Sequence, residues 1–216
     1  MYGILFGNYN TLDWGLTLLD IVMSSPVPKT KYIDLPIGNG SIDMTEAIYG
    51  DVSYSDREAT FVVGLKISLA DRTLTQEFIT NALHGRRMSI MLPDDPYHYY
   101  MGRLSVGPLR LNGTVANMEI TAICDPYKYK SALTVVSDTI PGGGTVALSC
   151  TNARMRVIPE ITVSAAVSIG FGGNSYAIGA GTWKLTDVAF KEGINLVTIT
   201  GPEGTAYSIT YQEGAI

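Results

Sequence analysis

Val115-Ala116-Asn117-Met118-Glu119-Ile120-Thr121-Ala122-Ile123-Cys124 alternates between apolar and polar positions with a period of two. Met118, Ile120, Ala122 and Cys124 fall on one face, and Asn117, Glu119 and Thr121 on the other, the pattern of a half-buried strand. A strand with one wet face belongs to an antiparallel sheet, because parallel sheets are covered on both sides. Working outward, residues 59–69, 88–92 and 99–106 are short runs rich in β-branched or aromatic side chains, bounded by Pro, Gly or Asp, and read as its partners. One helix interrupts them. Thr73-Leu74-Thr75-Gln76 resembles a capping box, and Leu74, Phe78, Ile79, Ala82 and Leu83 share one face ahead of a Gly85 stop. That face is expected to lie against the sheet. Residues 44–50 carry a weaker helical pattern, enough for at most one turn.

Beyond residue 130 every signal is strand-like: residues 133–136, 145–150, 161–167, 182–185, 195–199 and 207–211, with turn residues between them. Short strands at near-regular spacing without a helix predict an antiparallel sandwich. Composition changes at the same place. Residues 1–130 hold 25 charged side chains and 11 glycines, whereas residues 131–216 hold 10 and 12. Two β-rich domains are therefore expected, 1–130 and 131–216, joined by a linker over residues 125–131. Gly142-Gly143-Gly144 reads as a loop inside the second, and no 20–50-residue period suggests a repeat architecture.

With 216 residues, 46% hydrophobic and 16% charged, the chain has the makings of real cores and does not resemble a disordered segment. Its net charge of −5 argues against a reader of duplex phosphates, so no sequence-specific nucleic-acid binding is expected. Lys29 is the first cation, which is unlike the basic start of a secretory leader. The uncharged stretch 161–183 is long enough to raise a membrane question, but its Asn174, serines and glycines suit strands and loops, and no membrane partner is expected. Two cysteines, Cys124 and Cys150, form neither a CxxC pair nor a disulfide framework.

Reactive constellations are equally sparse. His84 and His98 are the only imidazoles, and neither sits at metal-ligand spacing. His84 falls in the last turn of the predicted helix, where a cation suits the dipole. Asp94 and Asp95 precede Pro96 as turn formers rather than as an acid/base pair. Gly170-Phe171-Gly172-Gly173-Asn174 is a turn lacking the strand-to-helix context of a phosphate loop. No catalytic residue, cofactor or metal site is expected, and the chain does not read as an enzyme. Tyrosine is the informative residue: ten of thirteen precede residue 131. Tyr97, Tyr99, Tyr100, Tyr127 and Tyr129 form the candidate interface, since tyrosine suits contacts that are apolar in body and wet at one end.

Five segments, in order along the chain, resemble siphophage distal tail proteins. They are Asp34-Leu35-Pro36-Ile37-Gly38-Asn39-Gly40-Ser41-Ile42-Asp43-Met44-Thr45-Glu46-Ala47, Gly50-Asp51-Val52-Ser53-Tyr54-Ser55-Asp56-Arg57, Asn81-Ala82-Leu83-His84-Gly85-Arg86-Arg87, Tyr97-His98-Tyr99-Tyr100-Met101-Gly102-Arg103-Leu104 and Cys124-Asp125-Pro126-Tyr127-Lys128-Tyr129-Lys130. The segment from Gly201 to Gly214 also looks like the closing strands of that family's galectin-like domain. Ile37-Gly38-Asn39 departs from the family, which often has Gly-Arg before the Asn or Asp.

The resemblance implies a mainly β fold: an N-terminal ring-forming domain with one helix and a β-hairpin extension, then a galectin-like antiparallel β-sandwich. It implies a structural virion part, with six copies in a ring at the distal tail tip, assembled in the host cytoplasm. The ring would join the tail tube protein to the tail-associated and receptor-binding proteins, with phage DNA passing through it. The first domain would build the ring through sheet and hairpin contacts, and the second would project outward. A competing reading is a carbohydrate-binding module for host cell-wall sugars, with Tyr176 and Trp183 as its stacking residues. A wall hydrolase would require a paired acid and base that the sequence does not offer.

Overall fold

The computed structural model describes residues 2–47, 50–68, 70–113 and 115–216, and the chain divides into two compact units, Met1–Lys128 and Tyr129–Ile216. The first contains β1 (Leu5–Phe6), β2 (Tyr9–Asn10), a 3-10 turn (Thr11–Trp14), β3 (Thr17–Met23), β4 (Tyr32–Asp34), β5 (Ser41–Asp43) and β6 (Arg57–Lys66). After these come α1 (Arg72–Leu83), β7 (Arg87–Met91), β8 (His98–Val106), β9 (Arg110–Asn112) and β10 (Val115–Lys130), which runs on past the unit boundary. Its sheet has the order β2-β1-β7-β8-β10-β6-β3, and β9 pairs with the start of β10. The pairing of β10 with β6 is antiparallel and unbroken from Val115↔Lys66 to Cys124↔Arg57. Ala116, Met118, Ile120, Ala122 and Cys124 are buried against Ala59, Phe61 and Val63, as the alternation predicts.

The segment expected as a linker is strand instead: β10 continues through Asp125 and Pro126 to Lys130. On the β6 side the pairing ends at Cys124, so Pro126 breaks no hydrogen bond to β6.

Helix α1 stops as expected, with Gly85 at φ 75° just beyond it. Its start differs from expectation. The helix begins at Arg72, Asp71 makes no side-chain cap, and Gln76 is not part of a capping box. The Gln76 side chain is committed elsewhere: its amide donates to Gly107 O at 3.2 Å and its carbonyl accepts from Leu109 N at 2.5 Å. Arg72 donates to Leu109 O from Nε at 3.2 Å and Nη2 at 2.9 Å. Together these bonds satisfy the backbone of the 107–109 loop and fasten it to the helix. Only part of the predicted face is covered. Ile79 and Leu83 are buried, whereas Leu74 is 69% and Phe78 54% exposed.

Between β3 and β6 the chain leaves the sheet as an arm. Ser24 N donates to Glu58 O at 2.9 Å, Lys29 N to Ser53 O at 2.8 Å and Ser55 N to Val27 O at 2.8 Å, so the outgoing and returning strands zip together at the root. The arm ends in the β4–β5 hairpin, a two-stranded sheet of its own with Ile33 opposite Ile42. Every residue from 27 to 44 is exposed. The weak helical signal of residues 44–50 appears as a turn closed by Ala47 N on Met44 O at 3.1 Å, with Ile48 and Tyr49 outside the described residues.

The second unit is a sandwich of two four-stranded antiparallel sheets. One has the order β11-β18-β13-β16 and the other β12-β17-β14-β15, from β11 (Thr134–Thr139), β12 (Thr145–Asn152), β13 (Glu160–Val163), β14 (Val167–Phe171), β15 (Asn174–Ile178), β16 (Gly181–Trp183), β17 (Gly193–Thr200) and β18 (Ala206–Tyr211). A short β19 (Gly214–Ala215) ends the chain. Ile161, Val163, Tyr207 and Ile209 from the first sheet meet Val167, Ile169, Val197 and Ile199 from the second in one core. Phe190 fills its end, edge to face with Tyr211 at 5.1 Å. The turn at residues 170–174 closes the β14–β15 hairpin, with Gly172 at φ 58° and Gly173 at φ 83°, the left-handed pair a tight two-residue connection requires. The expected architecture is present: mainly β, with one α-helix among the described residues, a hairpin extension and a closing sandwich.

Candidate assembly surfaces

Three surfaces of the first unit present groups suited to contacts with other chains. The first lies around the root of the arm, where the predicted tyrosines divide. Tyr97 is 76% exposed on the turn before β8 and Tyr99 is half-buried. Tyr100 is buried opposite Ile90 and belongs to the core. Tyr127 is half-buried and meets Tyr54 edge to face, centroids 5.9 Å apart. Tyr129, also half-buried, falls in the second unit. The structure therefore brings Tyr127 to Tyr54, a residue not singled out by its sequence context, and keeps Tyr100 as packing.

Beside them Asp95 accepts from Lys128 Nζ at 2.7 Å and lies 2.7 Å from His98 Nδ1. Partial burial pushes the Asp95 carboxyl up, but the Lys128 and His98 hydrogen bonds and charges outweigh it and hold the group below its ordinary value. Asp94 is exposed, so the two neighbours are not a paired acid and base. His84 serves as an acceptor, its Nδ1 receiving Val106 N at 3.0 Å, rather than as a helix-end cation. Arg57 is only 5% exposed, its guanidinium over the Tyr100 ring and its Nη1 3.8 Å from Met23 Sδ. Its Nε has no partner among the described residues. Burial pushes the Cys124 thiol up to about 11 and raises Cys150 as well, which withholds thiolate from both. Among the described residues no three His, Cys, Asp or Glu side chains cluster as metal ligands.

The second surface is the arm itself, with Tyr32, Ile33, Leu35, Ile37 and Ile42 all exposed. An isolated two-stranded hairpin is at best marginal in water, and this one has no core beneath either face. The third is an aromatic ridge where β2, the 3-10 turn and α1 meet. Tyr9 lies 5.3 Å from Trp14, and Trp14 meets Phe78 edge to face at 5.2 Å. Leu74 stands one turn before Phe78 on the same helix face. The helical spacing of Leu74 and Phe78 was visible in the sequence, but it reads equally as a buried face.

In the second unit, Tyr176 packs against the sandwich core from β15. Trp183 is exposed on β16, at the edge of the other sheet, donating its indole N–H to Gly179 O at 2.9 Å. The two suggested sugar-stacking residues thus belong to the edge strands of different sheets.

No family model and no curated protein sequence matches this chain. Among solved structures it is similar to the SPP1 Dit (gp 19.1) protein, described as a paradigm of hub adsorption apparatus in phages that infect Gram-positive hosts. The TM-score is 0.68 at 13% identity, covering 98% of this chain and 99% of that one. It also aligns with a chain of the phage p2 baseplate in its activated conformation with Sr, with a TM-score of 0.44 at 11% identity, over 97% of each. The fold is that of the SPP1 Dit hub protein from end to end.

Proposed function

We propose that the protein is a structural component of a phage tail tip, a ring of six copies at the distal end of the tail. The ring joins the tail tube protein to the tail-associated and receptor-binding proteins, is part of the virion and is assembled in the host cytoplasm. Residues 1–130 build the ring and residues 131–216 carry outward contacts. What carries this reading is the whole-length likeness to a phage hub protein in a chain that also extends an uncovered apolar hairpin.

The hairpin supports it on physical grounds. Eighteen consecutive exposed residues containing Tyr32, Ile33, Leu35, Ile37 and Ile42 expose more apolar surface than a free chain needs, and a neighbouring copy is the natural cover. A contact between two different surfaces closes into a ring when its rotation divides a full turn. A structural rather than catalytic role agrees with buried, protonated thiols and with His98 engaged by Asp95.

Negative-stain images of tail tips labelled by an antibody to this chain test the proposal. A six-fold ring at the tube end is the expected result. A three- or four-fold ring, or label elsewhere on the virion, overturns it.

A further inference from the structure

One edge of the sandwich lacks the usual guards against strand pairing. β12 ends its sheet, paired with β17 on one side only, and reads Thr145-Val146-Ala147-Leu148-Ser149-Cys150-Thr151-Asn152. It holds no charge and no proline, and its ladder with β17 is unbroken from Thr145↔Thr200 to Asn152↔Gly193. Charges, bulges and short length are what protect sheet edges. The other long terminal strands have them: β3 carries Asp20 at a register break, and β11 carries Asp138. The remaining terminal strands run to five residues or fewer.

The ladder also fixes which groups of β12 face outward. Gly201 N donates to Gly144 O at 2.9 Å, so Gly144 opposite Gly201 is a hydrogen-bonded pair. Pairs alternate along an antiparallel ladder, so Thr145, Ala147, Ser149 and Thr151 turn their N–H and C=O groups away from β17. Tyr211 Oη donates to Thr151 O at 2.6 Å, and the other groups in this row have no partner among the described residues. The row left open is therefore Thr145, Ala147 and Ser149, with Ala147 at its middle. That row is complementary to itself. Placed antiparallel on a second copy, it sets Thr145 opposite Ser149 and Ala147 opposite Ala147, each such pair exchanging both main-chain bonds. Between them Val146 meets Leu148 in the closer, non-hydrogen-bonded pairs. Both are half-buried at the rim of the sandwich core, so each copy continues the core of the other.

Charge agrees with this direction. Glu203 lies beside Gly142, ahead of the strand, whereas Arg154, Lys191 and Glu192 lie beyond its end. Antiparallel pairing turns each copy's Glu203 toward the other's basic end, and like charges stay apart. Asp138 is on the other sheet.

We propose that β12 pairs antiparallel with β12 of a second copy of this chain, centred on Ala147, joining their two sheets into one. The contact is isologous, about a two-fold axis. Copies within one cyclic ring are not related by such an axis, so it joins free chains or chains of separate rings and goes beyond the ring reading.

Mild oxidation of the full chain in solution tests it, read as covalent pairs on non-reducing gels. Facing residues of a hydrogen-bonded pair have Cα atoms about 5.5 Å apart, within disulfide reach, and both native cysteines are buried. The Ala147→Cys chain should form a covalent pair by itself. Thr145→Cys and Ser149→Cys should do so only when the two variants are mixed. All three positions are exposed, so far-ultraviolet circular dichroism should match the unaltered chain. Adding Ala147→Lys to both chains of the mixture sets two cations face to face and should remove the product. No pair from Ala147→Cys overturns the proposal, as does a product from Thr145→Cys or Ser149→Cys alone, or one that survives Ala147→Lys. Tail-tip images decide the ring reading separately, and it survives either result.

Discussion

The Arg57 guanidinium lies over the Tyr100 ring, 5.4 Å from its centroid, at the foot of the arm. A buried cation facing a ring and a thioether is held by weak partners, and desolvation offsets much of what they contribute. Arg57→Met should therefore change folding stability by less than about 1.5 kcal/mol in either direction. Tyr100→Ala should cost about 3 to 5 kcal/mol, since it opens a cavity and strips the cation of its support. Urea unfolding of both variants checks the contrast. A larger loss from Arg57→Met than from Tyr100→Ala would refute it.

Asp95 gives a pH signature. Its folded carboxyl is held below the ordinary 3.8, so the stability it contributes is present above that value and is lost as pH falls through the lower folded one. Asp95→Asn should cost about 1 kcal/mol at pH 7, reflecting two charge-assisted contacts on a partly exposed group. The difference between wild type and variant should shrink as pH falls below 3.8 and disappear once the folded carboxyl is protonated. A gap that widens on acidification would show that Asp95 is not the acceptor of this cluster.

Gly102 and Cys124 are coupled. A Cβ at residue 102 would stand 2.6 Å from Cys124 Sγ and 3.2 Å from the Ile123 carbonyl. Gly102→Ala should destabilise by about 1 to 3 kcal/mol through overpacking. In the Cys124→Ala background the same change should cost clearly less, a coupling visible in a double-mutant cycle. Additive losses would mean that the backbone, not the sulfur, is the obstacle.

The Cys124 thiol, pushed up to about 11, and the raised Cys150 should both be silent to a thiol-specific chromophore at pH 8 in the folded chain. Both should react within minutes in denaturant. Stoichiometric labelling of the native protein would show that one of them is open to solvent.

A chain ending at Ser131 should unfold cooperatively and keep the ring contact, since α1, the arm and every strand of the first sheet except the short β19 lie within residues 1–130. Non-cooperative melting by circular dichroism, or tail tips without rings, would show that ring building needs the second unit.

Sequence alone determined the elements whose own side chains cover one another. The alternation from Val115 to Cys124 put Met118, Ile120, Ala122 and Cys124 on the buried face because a strand's period of two leaves no other arrangement. Gly85 ended the helix because a residue free to adopt positive φ was needed there. Only the tertiary structure decided the rest. Leu74 and Phe78 have the spacing of a core face, but spacing says which residues share a face, not whether the same chain covers it. Gln76 has the position of a capping residue, but its amide satisfies Leu109, 33 residues away. Residues 125–130 carry proline and charge like a linker, yet they continue β10, which has β8 and β19 as partners besides β6, and the β6 pairing has already ended at Cys124. The arm had no local alternation to read, since a hairpin exposed on both faces has no inside to alternate with.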